Sequence, residues 1–285
     1  MLSIIISSYQ ENYYSVLEKN ISETVGIPYE ILKIHNPGSM GICEAYNNGA
    51  SKAKYDNLLF IHEDILFLIH NWGELLVNHL NRNSTGVIGL AGSNYVPDAP
   101  CAWSLSDSKY TFGNVNNKER LRGEKQKIVR SAQRVFGLDG VFLAARKSVY
   151  KEFRFDEDIK GFHGYDTDFS LRVATKYNNY VIWDVFIKHF SKGNPDKMYL
   201  DNHMQIRRKI SQRFNKIFDE ELEINMFRCF INNYFSYYKC SIKNIQVTLK
   251  FFPRKISLTK RYPILKAYLI YFYVHNFRKH LKVQN

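Results

Sequence analysis

LLFIHEDILF, Leu58 to Phe67, opens with an apolar run, Leu58 to Ile61, that predicts a buried strand. At its carboxyl end stand His62, Glu63 and Asp64, side by side. Unpaired charge is expensive to bury, so three ionisable residues at a strand end need either solvent or compensation. In an open α/β sheet the carboxyl ends of the strands form the ligand crevice. A divalent cation there would compensate the carboxylates and meet a phosphate. The competing reading is a strand that runs into a solvated acidic turn.

Working outward towards the amino terminus, LSIIIS (Leu2 to Ser7) is a β-branched run that predicts a first buried strand, followed by a polar turn from Ser8 to Glu11. SVLEKNISETVG predicts a helix stopped by Gly26 and Pro28, and YEILKIH (Tyr29 to His35) a second strand. Ile42, Ala45, Tyr46, Gly49 and Ala50 recur at the spacing of one helix face. Beyond the central stretch, Trp72, Leu75, Leu76 and Leu80 mark a further helix, and GVIGLAG (Gly86 to Gly92) a further strand. Strand and helix in alternation predict an α/β fold with a parallel sheet, its nucleotide-type site in the amino-terminal half. Neither GxGxxG after the first strand nor GxxxxGK[ST] occurs, which argues against a Rossmann dinucleotide site and a P-loop.

Residues 92–134 are polar and turn-rich, which predicts a functional loop. VFGLDGVFLAAR (Val135 to Arg146) returns to strand, interrupted at Asp139-Gly140, and VIWDVFIKHFSKG (Val181 to Gly193) is one more strand with His189 just past its end. Asp166, Thr167 and Asp168 precede Phe169, Leu171 and Val173, so a helix is expected to start there. A helix dipole would keep Asp166 ionised at neutral pH.

The formal charge of +13 is concentrated: residues 226–285 hold twelve Lys and Arg and no Asp or Glu, leaving about +1 for the rest. The four cysteines, Cys43, Cys101, Cys229 and Cys240, have no zinc-site or disulfide spacing. No apolar stretch reaches the roughly 20 residues of a spanning helix, and the amino terminus lacks the charge and length of a signal peptide. A cytoplasmic protein with reduced thiols is expected.

Together these stretches resemble the GT-A nucleotide-sugar glycosyltransferases, specifically the bacterial inverting group called family two. IISSYQE (Ile5 to Glu11) stands where that family has its IIPTYNE-type first strand, Asn36 to Ser39 where it has an Asp-Asp-Gly-Ser turn, and AYNNG (Ala45 to Gly49) where it has ARNxG. FIHED (Phe60 to Asp64) occupies the place of the metal-binding DxD, GLDGVFLAAR that of the acceptor-side strand, and GYDTDFSLR (Gly164 to Arg172) that of the ED-x-D-[FL]-x-[LM]-R motif. The likeness covers residues 2–193, and it departs from the family pattern at His62, Tyr46, Asn36 and Tyr165. An HEDI-type subgroup of glycosyltransferase-like proteins is most similar. The resemblance implies a GT-A domain over residues 1–200, with a nucleotide-sugar half at about 1–91 and an acceptor half at about 92–200, and a basic helical region over 201–285.

On this resemblance Asp166 is the base that deprotonates the acceptor hydroxyl, with a helix N-cap as its structural alternative. Asp64 is the expected ligand of a divalent metal, Mn²⁺ or Mg²⁺, with His189 arriving from the later strand; imidazole beside carboxylate suits Mn²⁺ better. His62 is expected to ligate or to contact ribose or diphosphate. Ser8, Tyr9, His35 and Asn36 are expected at the donor nucleotide, and Asp139, Trp103 and His163 at the acceptor, with packing beside Tyr165 the alternative for His163. Asp168 reads as a capping or supporting group and Glu63 as a turn residue. The implied partners are a nucleotide-sugar donor and a glycan or lipid-linked acceptor. A binding protein that lost activity through His62 and a nucleotidyltransferase are the rival readings; the latter class usually carries a Gly-rich loop that is missing here.

In residues 226–285, 14 of 60 residues are Phe or Tyr, interleaved with the cations. Arg261 to Lys282 reads as a helix too apolar for a free surface and too short to span a bilayer. It predicts an interfacial helix on the anionic inner face of the membrane. The alternatives are a subdomain packed on the body and a homodimer interface. Without a recognisable nucleic-acid module, nucleic acid is not an expected partner.

Overall fold

A computed structural model of the protein describes residues 1–115 and 132–276, apart from residues 192, 194, 211 and 254. Part of the expected loop at 92–134, and residues 277–282 of the expected terminal helix, lie outside the described residues.

The elements run β1 (Leu2–Ser8), α1 (Glu11–Thr24), β2 (Tyr29–His35), α2 (Ile42–Lys52), β3 (Asn57–His62), β4 (Ile65–Phe67), α3 (Trp72–Leu80), β5 (Thr85–Gly89), β6 (Ala91–Ser93) and β7 (Thr111–Gly113). Then follow β8 (Ala132–Val135), β9 (Gly137–Leu138), β10 (Phe142–Arg146), α4 (Lys147–Phe153), α5 (Tyr165–Val173), β11 (Asn178–Ile182) and β12 (Ile187–His189). The carboxyl-terminal part is helical: α6 (Lys197–Lys209), α7 (Glu220–Tyr237), α8 (Ile242–Leu249) and α9 (Tyr262–Asn276).

The central seven-stranded sheet has the order β2-β1-β3-β10-β5-β11-β8. Strands β2, β1 and β3 are mutually parallel, as are β5 and β11, whereas β10 runs antiparallel between β3 and β5, and β8 antiparallel to β11. Alternation along β1 divides the core: Ile5 joins the cluster of α2, α4 and α5, while Leu2, Ile4 and Ile6 join that of α1 and α3. The face expected on α2 (Ile42, Ala45, Tyr46, Gly49, Ala50) is buried throughout. The result is a mostly parallel sheet between two helical layers, with helices following at the carboxyl terminus, which is the expected α/β architecture.

Three expected strands divide where the chain changes sheets. The GVIGLAG run leaves the central sheet after Gly89 and continues as β6 in a three-stranded sheet, β7-β6-β9. Val135 to Arg146 is shared among β8, β9 and β10. Val181 to Gly193 splits into β11, in the central sheet, and β12, which pairs antiparallel with β4. His189 is therefore the last residue of β12 and lies inside the strand. Helix α5 begins at Tyr165, so Asp166 and Asp168 sit within its first turn rather than before it.

The carboxyl-terminal helices pack on the loop after β6. One apolar cluster joins Tyr95, Ala99 and Leu105 to Leu200 and Met204 of α6 and to Leu222, Phe227, Phe230 and Phe235 of α7. Asp196, Asp219 and Ser241 cap α6, α7 and α8 by accepting from backbone N–H groups in the first turn. Helix α9 buries Ile264 but leaves Leu265, Leu269 and Ile270 at least half exposed. Among the described residues no helix is long and apolar enough to cross a membrane.

Candidate active site

A cavity of about 840 Å³ opens at the carboxyl ends of β1 and β3. It is lined by His62 and Asp64 from β3 and the turn after it, His189 from β12, Asp139 and Gly140 from the turn before β10, and Tyr165 and Asp166 from α5. The size is that of a small-molecule site. Residues far apart in the chain thus meet in one place: Ser191, 127 positions from Asp64, donates its backbone N–H to Asp64 Oδ2 at 3.1 Å.

Asp64 is anchored by the ribbon of β4 and β12, in which His189 is paired with Ile65. Its Oδ1 lies 3.4 Å from His189 Nε2 and 3.9 Å from His62 Nδ1. Burial pushes its carboxyl up, but hydrogen bonds from His189 and Ser191 outweigh this and hold it below the usual carboxylate range. One ligand atom each from His62, Asp64 and His189 fall within 4.8 Å of one another.

The tautomer of His62 follows from its neighbours. The Tyr165 hydroxyl donates its single proton to the Gly140 carbonyl at 2.9 Å, and His62 Nε2 lies 2.8 Å from the same oxygen. Nε2 must therefore carry a proton and donate. Burial lowers the pKa of His62 and favours its neutral form, so Nδ1 keeps its lone pair on the side of Asp64. A neutral imidazole nitrogen, a carboxylate held ionised and a second imidazole are a donor set that fits a divalent transition metal.

Asp166 accepts from the Thr167 N–H at 2.8 Å. Burial and repulsion from Asp139 push its carboxyl up to about 7, against the opposing pull of backbone N–H groups. The expectation that the helix terminus keeps Asp166 ionised is thus corrected: desolvation outweighs the dipole at this position. Gly164, at φ 84°, makes the left-handed entry into α5 that sets the direction of Tyr165 and Asp166.

The other expected residues divide. Tyr9, Asn36, Trp103, Asp139 and His163 line the cavity; Ser8 and His35 do not. Ser8 is buried and points to the opposite side of β1, so Ser7 lines the cavity in its place. His35, the last residue of β2, is exposed outside it. Asn36 spends both ends of its amide on the following turn, donating to the Met40 carbonyl at 3.1 Å and accepting from the Met40 N–H at 3.2 Å. Trp103 Nε1 donates to Asp139 Oδ2 at 2.7 Å, and His163 meets Tyr199 edge-on, 5.6 Å between ring centres. Asp168 is buried in an ion pair with Arg172 at 2.6 Å and does not line the cavity.

Several contributions are not evident from short-range pattern. Glu63 is buried and accepts from the N–H groups of Tyr9 and Gln10 at 3.1–3.3 Å, clamping the end of β1 and the start of α1 to β3. Tyr199 and His203, one turn apart on α6, line the cavity; burial lowers the His203 pKa to about 4 and keeps it neutral. Their i, i+4 spacing was visible, but nothing local linked that helix to the cavity.

A mostly parallel sheet with an imidazole and a carboxylate at the carboxyl end of its third strand, met by a second imidazole from β12 and sharing a cavity with an acidic group from a later helix, is a GT-A arrangement. A model of the glycosyltransferase-like family matches residues 3–216, and the chain belongs to that family. In fold it is similar to GalNAc-T7, whose crystal structure holds UDP, GalNAc and Mn²⁺, with a TM-score of 0.55 and 11% identity over 89% of this chain; the match spans 58% of the GalNAc-T7 chain. It is also similar to the 1–349 fragment of S. aureus TarS in complex with UDP-GlcNAc, with a TM-score of 0.53 and 13% identity over 95% of this chain and 87% of that one. No curated protein matches.

Proposed function

We propose that the chain is an inverting, metal-dependent glycosyltransferase that moves a sugar from a nucleotide-sugar donor to a hydroxyl of a glycan or lipid-linked acceptor, in surface-glycan or polysaccharide assembly. The observation that carries this is the meeting of His62, Asp64 and His189 in the same cavity as Asp166. GalNAc-T7 with UDP and Mn²⁺, and TarS with UDP-GlcNAc, support a uridine nucleotide as the donor class.

His62, Asp64 and His189 would hold the divalent ion, Mn²⁺ by the chemistry of the donor set. When bound it supplies positive charge to the diphosphate that departs. Tyr9, in the turn after β1, is 63% exposed at the cavity wall and offers a ring face to the base. Asp139, held by Trp103 and by the Val141 N–H at 2.8 Å, faces acceptor hydroxyls. Asp166 takes the proton from the attacking hydroxyl, and a base whose pKa is near 7 is matched to that task at neutral pH. With Asp166 acting on the acceptor and the diphosphate held opposite, attack proceeds in line and inverts the anomeric centre.

The terminal helix supports a membrane-bound acceptor. Tyr262, Leu265 and Leu269 of α9 are 67%, 56% and 61% exposed, and residues 226–285 carry cations without a single acid. An apolar helix face within a wholly basic segment suits an anionic leaflet.

A thermal-shift screen of nucleoside diphosphates with and without Mn²⁺ tests the donor site. UDP with Mn²⁺ at about 100 times its Kd should stabilise the protein by about 2.7 kcal/mol. The shift should require the metal and disappear in Asp64→Ala. If no nucleoside diphosphate shifts the melting temperature under any metal condition, the transferase reading fails.

A further inference from the structure

A second cavity, of about 430 Å³, lies where the carboxyl-terminal helices meet the body. Arg207 lines it, one turn beyond His203 on the same helix, while His203 lines the first cavity. Six cations converge on it: Arg207, Arg208, Arg213, Lys216, Lys250 and Lys255. They come from two stretches of chain, 207–216 and 250–255, so sequence adjacency alone does not bring all six together.

Only two acids share the lining, Asp98 and Glu223. Asp98 is paired with Arg207 at 3.1 Å. Glu223 is buried and accepts from the Tyr95 hydroxyl at 2.8 Å and from the Asp98 N–H at 3.0 Å. Burial pushes its carboxyl up to about 7, which weakens it further as a counter-charge. Among the described residues no carboxylate forms an ion pair with Arg208, Arg213, Lys216, Lys250 or Lys255. Two of the cations rest on aromatic rings: Arg208 lies 5.3 Å from the centre of Phe251, and Lys255 5.9 Å from that of Phe218.

Like charges repel, and five cations around one concavity without acids to answer them destabilise it until an anion arrives. We propose that this cavity is a binding site for a phosphate-bearing anion, separate from the donor site and recognised by Arg213, Lys216, Lys250 and their neighbours. Guanidinium groups match the geometry of phosphate oxygens, and ammonium groups add compact charge at the rim. The phosphate has two sources with the same chemistry, a soluble phosphoester or polyphosphate and the headgroup of an anionic lipid.

Titration calorimetry with tripolyphosphate tests the site. EDTA is kept present so that the donor cavity, lined by Asp64, Asp139 and Asp166, repels the probe. Saturable binding is expected, weakened at least about tenfold in Arg213→Gln/Lys250→Gln, since each charged hydrogen bond lost costs a tenfold change or more. Both residues are exposed, so the fold should survive. The control Lys239→Gln/Lys243→Gln removes the same charge from exposed positions outside the cavity and should change affinity less than about twofold. Absence of saturable binding, or equal weakening by both pairs, overturns the proposal. Flotation with phosphatidylglycerol vesicles names the source: a loss confined to Arg213→Gln/Lys250→Gln identifies a lipid headgroup. Tripolyphosphate binding with flotation unchanged in that pair identifies a soluble phosphate.

Discussion

Replacing Asp166 with Asn removes a charge that the fold holds at a cost. The folded carboxyl titrates near 7 rather than near the ordinary 3.8. Between those values the native state keeps a proton that the unfolded chain releases, so stability falls as pH rises from about 4 to about 7. A full shift of that size corresponds to an upper bound of about 4 kcal/mol. Asp166 is partly open to the cavity, so about 1–3 kcal/mol is the expected measured loss. Asn keeps the shape without the charge. Urea unfolding at pH 5 and pH 8 should show the wild type losing this contribution and Asp166→Asn losing much less, which makes the variant the more stable protein at pH 8. Activity should move the other way. The wild-type rate should rise tenfold per pH unit below about 7 and level off above it, and Asp166→Asn should fall by about 10²–10⁴. Parallel stability profiles in the two proteins, or a variant within tenfold of wild-type turnover, would refute both the buried charge and the base.

Tyr165→Phe deletes the hydroxyl shared by His62 and Gly140; Mn²⁺ affinity, followed by titration, should drop about 10- to 100-fold as His62 loses its orienting partner. Gly140→Ala would put a methyl 2.1 Å from the Tyr165 hydroxyl, so denaturant unfolding should reveal a loss of about 1–3 kcal/mol, and unchanged stability would contradict the tight turn. Leu265→Glu/Leu269→Glu places charge on the exposed face of α9 and should abolish flotation with phosphatidylglycerol vesicles while leaving thermal stability intact. A shift from dimer to monomer in that variant, with flotation unaltered, would favour a self-association face instead.

Much of the frame was legible because local pattern and tertiary role agree there. The β-branched run at Leu2–Ser8, the buried face of α2 and the apolar run of β3 are each dictated by side chains that the final core also needs. Legibility ended where the chain leaves one sheet for another without a change in composition. Leu90 sits between β5 and β6 in a run that reads as a single strand, and nothing near Phe142 announces that β10 runs against its neighbours. The clustering of Asp64 and His189 was expected from the resemblance, whereas the ribbon that joins them, β4 with β12, was hidden because each strand is only three residues long. Ser7 lines the cavity where Ser8 was expected, because the sequence alone fixes no register and a one-residue error exchanges the faces of a strand. The ionisation of Asp166 could not be read at all, since it depends on Asp139 and on burial by residues remote in the chain.

His62 and Tyr165 are two of the places where this chain departs from the family pattern, and 103 positions separate them, yet they share one hydrogen bond of 2.8 Å. They amount to a single reciprocal exchange: an imidazole that requires an orienting acceptor, and a phenol that supplies it. An aspartate at position 62 would leave that phenol with nothing to accept from, and an acid at position 165 would set a second negative group against it. Reversion at either site alone should therefore be worse than reversion at both, so the two substitutions should display sign epistasis in metal binding.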